Sequence, residues 1–302
     1  MAFNWQVFKT RTLTAMVFVL VMLAGLMTTT FAFFLLFSII HWGCWWEYHK
    51  LMGQIHPEYK TITPIHKYGV IIAGWGLLIY ACDDVWTLGS VPVSAIGFTL
   101  SLIFLFLMPL LEILFSKQPD LKNVWISLRG LLYISISFAM FMHIRTGNIW
   151  MMKDSTDMFE DLNISTALYT GFTVPLITIG SIWINDTMAY IVGSLIGKRP
   201  LSSVSPKKTW EGTIGGILLS VIIVSLVGNY VMHATWQHYF HIALIASIFG
   251  TLGDLLESKI KRLAGVKDSG SFMPGHGGFL DRFDSLLLAI PFVWIYAMVF
   301  MR

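Results

Sequence analysis

Hydrophobic positions in this chain run together instead of alternating with polar ones. Stretches such as Thr14–Ile40 and Val91–Phe115 contain at most one charge each. A run of roughly 20 apolar residues is long enough to cross the hydrocarbon core of a bilayer as a helix, and only helices or closed barrels satisfy their backbone there. The pattern predicts nine spans, at about 13–30, 31–47, 69–83, 90–114, 124–144, 166–196, 212–232, 240–256 and 283–301. The run at 166–196 is long enough to predict a break within it. The expected fold class is therefore all-α, a polytopic membrane protein. The first apolar run has a basic flank but continues past any small-residue cleavage motif, so a retained first helix is expected rather than a removable leader.

Charge placement gives this count a test, because short cytoplasmic loops collect Lys and Arg. With the N-terminus inside, Lys9 and Arg11, then Lys50, Lys60 and Lys67, then Lys117 and Lys122 fall on the inner side. So do Lys198, Arg199, Lys207 and Lys208, and finally Lys259, Lys261, Arg262, Lys267 and Arg282. The other side receives Arg145, Lys153 and Arg302, and Arg129 lies inside a span. Sixteen against three is the split that nine spans produce; one span more or fewer scrambles it. The expectation is an inner N-terminus and an outer C-terminus. Two regions follow, 1–165 with spans 1–5 and interfacial loops, and 166–302 with the polar clusters described next.

Composition agrees. Of 302 residues, 56% are hydrophobic and 12% charged, against about 25% charged in ordinary soluble domains, and mean hydropathy is +0.70. A soluble globular protein is a poor fit, and nothing points to nucleic acid. The net charge of +3 matters less than where the charges lie. Cys44 and Cys82 fall near opposite ends of different helices, so no disulfide is expected. "WEYHKLMGQIHPEYKTITPIHKYG" reads as an aromatic, basic interfacial loop, with His56 and His66 interfacial rather than metal-bound. No internal repeat stands out.

Three polar clusters interrupt the apolar pattern, all assigned to the inner side. In "WINDTMAY", Asn185 and Asp186 interrupt a span, where a carboxylate costs about 2.5–3.5 kcal/mol on insertion scales; cations in the clusters downstream offer it partners. In "GKRPLSSVSPKKTWEGTIGG", Ser205-Pro206 reads as a helix start, with Ser as the cap and Pro first in the helix. Lys207 and Lys208 then fall in the first turn, where the macrodipole disfavours cations but an anion such as phosphate is welcome. A capped helix after a positive-inside loop explains this stretch equally well. Glu211 lies within pairing range of Lys208.

The third cluster is "GDLLESKIKRLAGVKDSGSFMPGHGGFLDRFDS", residues 253–285. Asp254, Glu257 and Lys261 share one helical face. Lys267-Asp268, His276-Gly277-Gly278, Asp281-Arg282 and Asp284 follow. Carboxylates suggest a hard divalent cation held with substrate phosphates, basic residues suggest the phosphates, and glycines let backbone N–H groups approach a ligand. Together they read as a metal–nucleotide site at a membrane. There is no Walker A loop, no Rossmann context, and no Cys/His set to join His276 around zinc.

The run Ser258–Asp284 resembles the signature of the phosphatidate cytidylyltransferase (CDP-diacylglycerol synthase) family: S-x-hydrophobic-K-R, four residues, K-D, then P-x-H-G-G, closing on D-R-hydrophobic-D. Every required position is met. "VSPKKTWEGTIGG" and "NDTMAY" are similar to that family's upstream segments, in the same order, while "KTRTLTA" and "WEYHKL" match its N-terminal landmarks more weakly. The clear likeness covers roughly residues 180–285. Asn185 beside Asp186, where the family often has a small residue, is a minor departure. The resemblance implies the reaction CTP + phosphatidate → CDP-diacylglycerol + pyrophosphate in a bacterial-type inner membrane. It implies a helical homodimer using Mg²⁺, with room for a second cation such as K⁺. It implies Asp254 and Asp268 as metal carboxylates and, as substrate or pyrophosphate contacts, Asp186, Ser205, Lys207, Lys208, Lys261 and Arg262. Lys267, His276, Asp281, Arg282 and Asp284 are signature residues placed in the same site, His276 on the substrate side. Two competing readings are a CTP-dependent lipid or prenol kinase, which attacks the γ-phosphorus, and an ion or phosphate transporter, whose ionisable residues belong at mid-membrane.

Overall fold

The structure is a computed structural model and describes residues 5–115, 121–147, 166–232, 236–272 and 277–301. Helix dominates it. The long helices are α1 (Trp5–Met27), α2 (Thr30–Ile55), α3 (Pro64–Tyr80) and α4 (Val93–Phe115). α5 (Leu121–Gly130) passes through one wider turn, Leu131–Ser135, into α6 (Ile136–Thr146). α7 (Thr166–Ile196), α8 (Trp210–Met232), α9 (Trp236–Leu263) and α10 (Leu280–Phe300) complete the chain. The one sheet among the described residues is a hairpin, Thr87–Leu88 against Val91–Pro92, turning at Gly89 with φ of 65°. Each predicted apolar run coincides with a helix. Six described stretches are long and apolar enough to cross a membrane: Val93–Phe115, Leu121–Thr146, Gly171–Ile196, Trp210–Tyr230, Trp236–Leu263 and Leu280–Phe300. The chain is thus an all-α, polytopic, membrane-type protein.

Residue contacts divide it into two compact units, Met1–Met142 with Ile260–Phe283, and His143–Lys259 with Asp284–Arg302. In the first, α3 and α4 touch backbone to backbone. A Cβ on Gly97 would lie 2.4 Å from the Tyr80 nitrogen and 2.6 Å from the Gly76 oxygen. Ser101 stitches the crossing by donating to the Ala73 carbonyl at 3.0 Å. Phe283 sits among Phe18, Phe37 and Phe138 with ring centroids 6.1–6.4 Å away, burying the end of the signature in an aromatic core. His66, expected at the interface, is fully buried; its Nε2 meets the Ser127 hydroxyl at 2.8 Å and its Nδ1 lies 3.4 Å from Glu112. Tyr59 joins the same network through Ser127 at 2.7 Å and His49 at 3.1 Å. His49, Tyr59 and His66 of the segment read as a surface belt therefore turn inward, because their polar tips find one another, while Lys50 and Lys60 stay exposed.

In the second unit, α7 and α8 meet through small residues spaced four apart, Ala189 and Gly193 against Gly212 and Gly216. A Cβ on Gly212 would lie 2.7 Å from the Ala189 oxygen and 2.8 Å from the Gly193 Cα, and one on Gly216 would lie 2.8 Å from the Asn185 oxygen. Such stripes let helices approach where no hydrophobic force drives them together. Two expectations change here. The predicted break in 166–196 is absent: α7 is continuous through Pro175, Asn185 and Asp186. Nor does α8 begin at Ser205-Pro206. It begins at Trp210, with the Thr209 hydroxyl accepting from the Gly212 N–H at 3.1 Å. Residues 198–209 form a closed loop instead. The Leu201 N–H donates to the Lys208 carbonyl at 2.7 Å, and the Glu211 carboxylate accepts from the Lys198 and Arg199 N–H groups at 3.1 and 3.2 Å. Lys207 and Lys208 thus precede the helix, so the conflict with its dipole does not arise, and Glu211 is spent on the loop rather than on Lys208.

Overpacking costs about 1–3 kcal/mol, so Gly212→Val is expected to lower the thermal midpoint of the detergent-purified protein by several degrees. Gly180→Ala, whose Cβ meets nothing within 4 Å, is expected to leave it unchanged.

Candidate active site

α7, α8, α9 and the 198–209 loop enclose a cavity of about 440 Å³ in the second unit. Asn185 and Asp186 come from α7, Thr213 from α8, Thr251 and Asp254 from α9, and Ser205, Lys207, Lys208 and Thr209 from the loop and its end. The helical stripe explains the placement. Ala189 packs on Gly212 and Gly216, so Asn185 lies one turn further along the same close contact. There it is buried and donates through Nδ2 to the Thr251 hydroxyl at 3.2 Å. Thr251 in turn donates to the Ser247 carbonyl of its own helix at 2.9 Å, which leaves its oxygen to accept from Asn185. Asp186, the next residue, is exposed.

Lys208 closes an ion pair with Asp254, their side chains 29% and 27% exposed. The Ser258 hydroxyl reaches the other Asp254 oxygen at 3.3 Å. Lys207 is exposed on the cavity wall, and the Ser205 carbonyl accepts from the Lys208 N–H at 3.1 Å, which fixes the turn carrying both lysines. Asp186, Ser205, Lys207, Lys208 and Asp254, singled out from sequence, therefore share one cavity. Two carboxylates, an amide and several hydroxyls are hard oxygen donors of the sort that hold Mg²⁺ together with substrate phosphates. Among the described residues no group of three or more His, Cys, Asp or Glu side chains converges as a metal cage. The donors fit a cation that takes much of its coordination from phosphate and water.

The part of the signature from Ile260 to Phe283 belongs to the first unit, with carboxylates of its own. Asp281 accepts from Lys261 at 2.7 Å through Oδ1. Through Oδ2 it accepts from the Gly278 N–H at 2.7 Å and from the Ser269 N–H and hydroxyl, each at 2.9 Å. The side chains of Lys261 and Asp281 are 14% and 8% exposed. Asp281 thus works as counter-ion to Lys261 and as the clasp of the loop. Arg262, Lys267, Asp268 and Arg282 are exposed. Asp284 is buried in the second unit, with Oδ1 accepting from the Ser285 N–H at 2.6 Å. Its carbonyl lies 2.5 Å from where a Cβ on Gly253 would stand, so α9 and α10 touch there. Glu257 is likewise buried. His276 lies outside the described residues.

Sequence reasoning missed Glu47, Ser269, Thr213 and Thr251. Thr213 and Thr251 look like ordinary residues of apolar helices. Glu47 gives a weak signal, an acidic residue in the second apolar run within "WEYHKL", but its partners lie more than 200 positions away.

Comparison with known proteins connects this geometry to a family. Residues 9–300 match the model of the cytidylyltransferase family. Proteins named phosphatidate cytidylyltransferase are similar over shorter stretches. One from Staphylococcus epidermidis is 48% identical over 112 residues, 36% of this chain and 43% of the relative. One from Bacillus subtilis is 44% identical over 121 residues, 39% of this chain and 45% of the relative. A chloroplastic protein of Arabidopsis thaliana, phosphatidate cytidylyltransferase 4, is 45% identical over 121 residues, 39% of this chain and 30% of the relative. The matched stretches span less than half the length of these relatives. The family match, by contrast, runs through every helix that lines the cavity and through the whole signature, so the chain belongs to the cytidylyltransferase family.

Proposed function

We propose that the protein is a phosphatidate cytidylyltransferase, joining CTP and phosphatidate to give CDP-diacylglycerol and pyrophosphate. The observation that carries this reading is the cavity in which Lys208 is paired with Asp254 beside Asp186, Lys207 and Ser205. In the proposed reaction an oxygen of the lipid phosphate forms a bond to the α-phosphorus of CTP. The bond from that phosphorus to the bridging oxygen breaks, and pyrophosphate leaves with the electron pair. The nucleophile is already an anion, so no general base is required. The difficulty is repulsion between two polyanions, and positioned cations are the remedy.

Lys208 and Lys207 supply that charge at the cavity, and Ser205 holds the turn that aims them. Lys208 exchanges Asp254 for phosphate when substrate arrives, which frees a carboxylate. Asp254 would hold Mg²⁺, with Asp186 a further oxygen donor on the same wall, and Asp268 is proposed as a metal carboxylate on the resemblance alone; the ion, when bound, neutralises phosphate charge and orients the reacting groups. Lys261 and Arg262 are proposed as phosphate contacts, Lys267 and Arg282 as signature residues of the reaction, and K⁺ is a candidate second cation. We further propose nine membrane crossings in a bacterial-type inner membrane, an inner N-terminus, the site near the cytoplasmic face, and a homodimer. The run of basic residues through the inner loops supports that orientation.

Pyrophosphate release and CDP-lipid formation from CTP, phosphatidate and Mg²⁺ by the purified protein are the direct test. Lys208→Ala and Asp254→Asn are each expected to cut kcat/KM by about 10²–10³-fold, the scale of losing one group aimed at transition-state charge. Near-normal turnover in either, with unchanged Mg²⁺ dependence, would sink the assignment, and CDP with a phosphorylated alcohol as products would indicate a kinase. For orientation, Ser203→Cys is expected to react with an impermeant maleimide only in inverted vesicles, and Leu88→Cys only in intact cells. Cys44 and Cys82 are buried and stay silent.

A further inference from the structure

The glycines of the signature have a partner that the sequence does not disclose. Glu47 on α2 is 5% exposed, and its carboxylate is filled by the signature loop. Oε1 accepts from the Phe279 N–H at 2.9 Å. Oε2 accepts from the Leu280 N–H at 2.9 Å and the Ser269 hydroxyl at 2.7 Å. Phe279 and Leu280 open α10, so the carboxylate satisfies N–H groups that a helix start leaves without partners and lies where the helix dipole favours a negative charge. A Cβ on Gly278 would stand 2.3 Å from both carboxylate oxygens, and one on Gly270 would stand 2.1 Å from Oε1. On the α2 side, a Cβ on Gly43 would meet the Phe279 ring at 2.3 Å. These three glycines are the space that Glu47 and the loop need to meet.

We propose that Glu47 is a positioning residue of the active site: it fixes the signature loop so that Asp281 holds Lys261 ready for phosphate. This rests on the proposed cytidylyl transfer. The connection is Ser269. Its hydroxyl lies 2.7 Å from Glu47 Oε2 and 2.9 Å from Asp281 Oδ2, and accepts from the Asp281 N–H at 3.3 Å. A hydroxyl has one proton to give, so the two carboxylates share a single donor. The loop N–H groups of Ser269 and Gly278 complete the Asp281 shell. Lys261 takes the remaining oxygen. Disturbing Glu47 shifts the residues that hold Asp281, and Asp281 fixes where the ammonium stands. Glu47 touches no reacting atom in this scheme.

The test compares wild type with Glu47→Gln and Ser269→Ala in detergent or nanodiscs. Glutamine keeps the size but presents an NH₂ group to a site of donors. Hydrogen exchange read by mass spectrometry is expected to quicken at least tenfold at the Phe279 and Leu280 amides in Glu47→Gln, with α3 and α4 unchanged. With CTP and phosphatidate, kcat/KM is expected to fall by about 10²-fold, and by much less when the same change is made in a Lys261→Ala background, because residues acting as one unit do not add. Ser269→Ala breaks the link while leaving Glu47 in place; it is expected to show the same loss of additivity with Lys261→Ala, and it decides the matter if Glu47→Gln fails to fold. Unchanged exchange at Phe279 and Leu280, equal quickening throughout the chain, or full additivity with Lys261→Ala overturns the proposal. Absence of pyrophosphate release by the wild type would instead overturn the cytidylyltransferase reading, and the exchange comparison would still decide what Glu47 holds.

Discussion

A buried carboxylate in an apolar chain must be answered by donors, and the first unit is organised around that requirement. Stripping an ion of water costs several kcal/mol even after relaxation. Glu47 recovers it with two helix-terminal N–H groups and a hydroxyl. That solution dictates the local sequence, because a side chain beside these donors would occupy the space of the carboxylate, and so Gly270 and Gly278 stand against it. The loop is thereby tied to α2 through Ser269 on one side and Phe279 and Leu280 on the other, and Phe283 anchors the helix that follows in its aromatic cluster.

The two Lys–Asp pairs show how one pair of residue types serves two purposes. The Lys208–Asp254 pair is more than a quarter exposed and lines a cavity. Exposed pairs of this kind are worth about 0–1 kcal/mol, so exchanging partners for a phosphate and a metal costs little. The Lys261–Asp281 pair is more buried, and its carboxylate also accepts from two backbone N–H groups and a hydroxyl. Taking Asp281 away would strand the Ser269 and Gly278 N–H groups, the Ser269 hydroxyl keeping Glu47, and leaving a buried donor unsatisfied costs about 1–3 kcal/mol for each. The carboxylate suited to releasing its lysine is therefore Asp254. Asp281 is suited to keeping Lys261 still.

This difference was not legible in the sequence, where both are acidic residues near lysines. What could be read was whatever depends on local pattern. The apolar runs became helices because twenty apolar residues in succession have few alternatives, and the membership of the α9 face carrying Asp254, Glu257 and Lys261 follows from helical spacing alone. Ser205-Pro206 misled because capping preference is a local rule, and Thr209, four residues on, offers the same hydroxyl with Gly212 positioned to donate. Asn185 and Asp186 read as a break because polar residues in a span are costly taken alone; Thr251 on α9 supplies the partner that lets α7 continue. Glu47 was hidden for a related reason. Its identity is visible, but its meaning lies in Ser269, 222 positions away in sequence, and no local rule joins the two.

The small-residue stripe on α7 and α8 then carries consequences beyond packing. Gly212 and Gly216 bring α8 so close to Ala189 and Gly193 that no side chain can fill the seam. The backbone that carries the polar residues one turn further along α7 is therefore held by close helix contact. Asn185 meets Thr251 at that depth, and Asp186 follows on the cavity wall. An anionic nucleophile needs no base but does need its repulsion with a second polyanion cancelled at fixed positions. A site held by close helix contact, with its cations on one short hydrogen-bonded loop, meets that need with little reorganisation left to do during reaction.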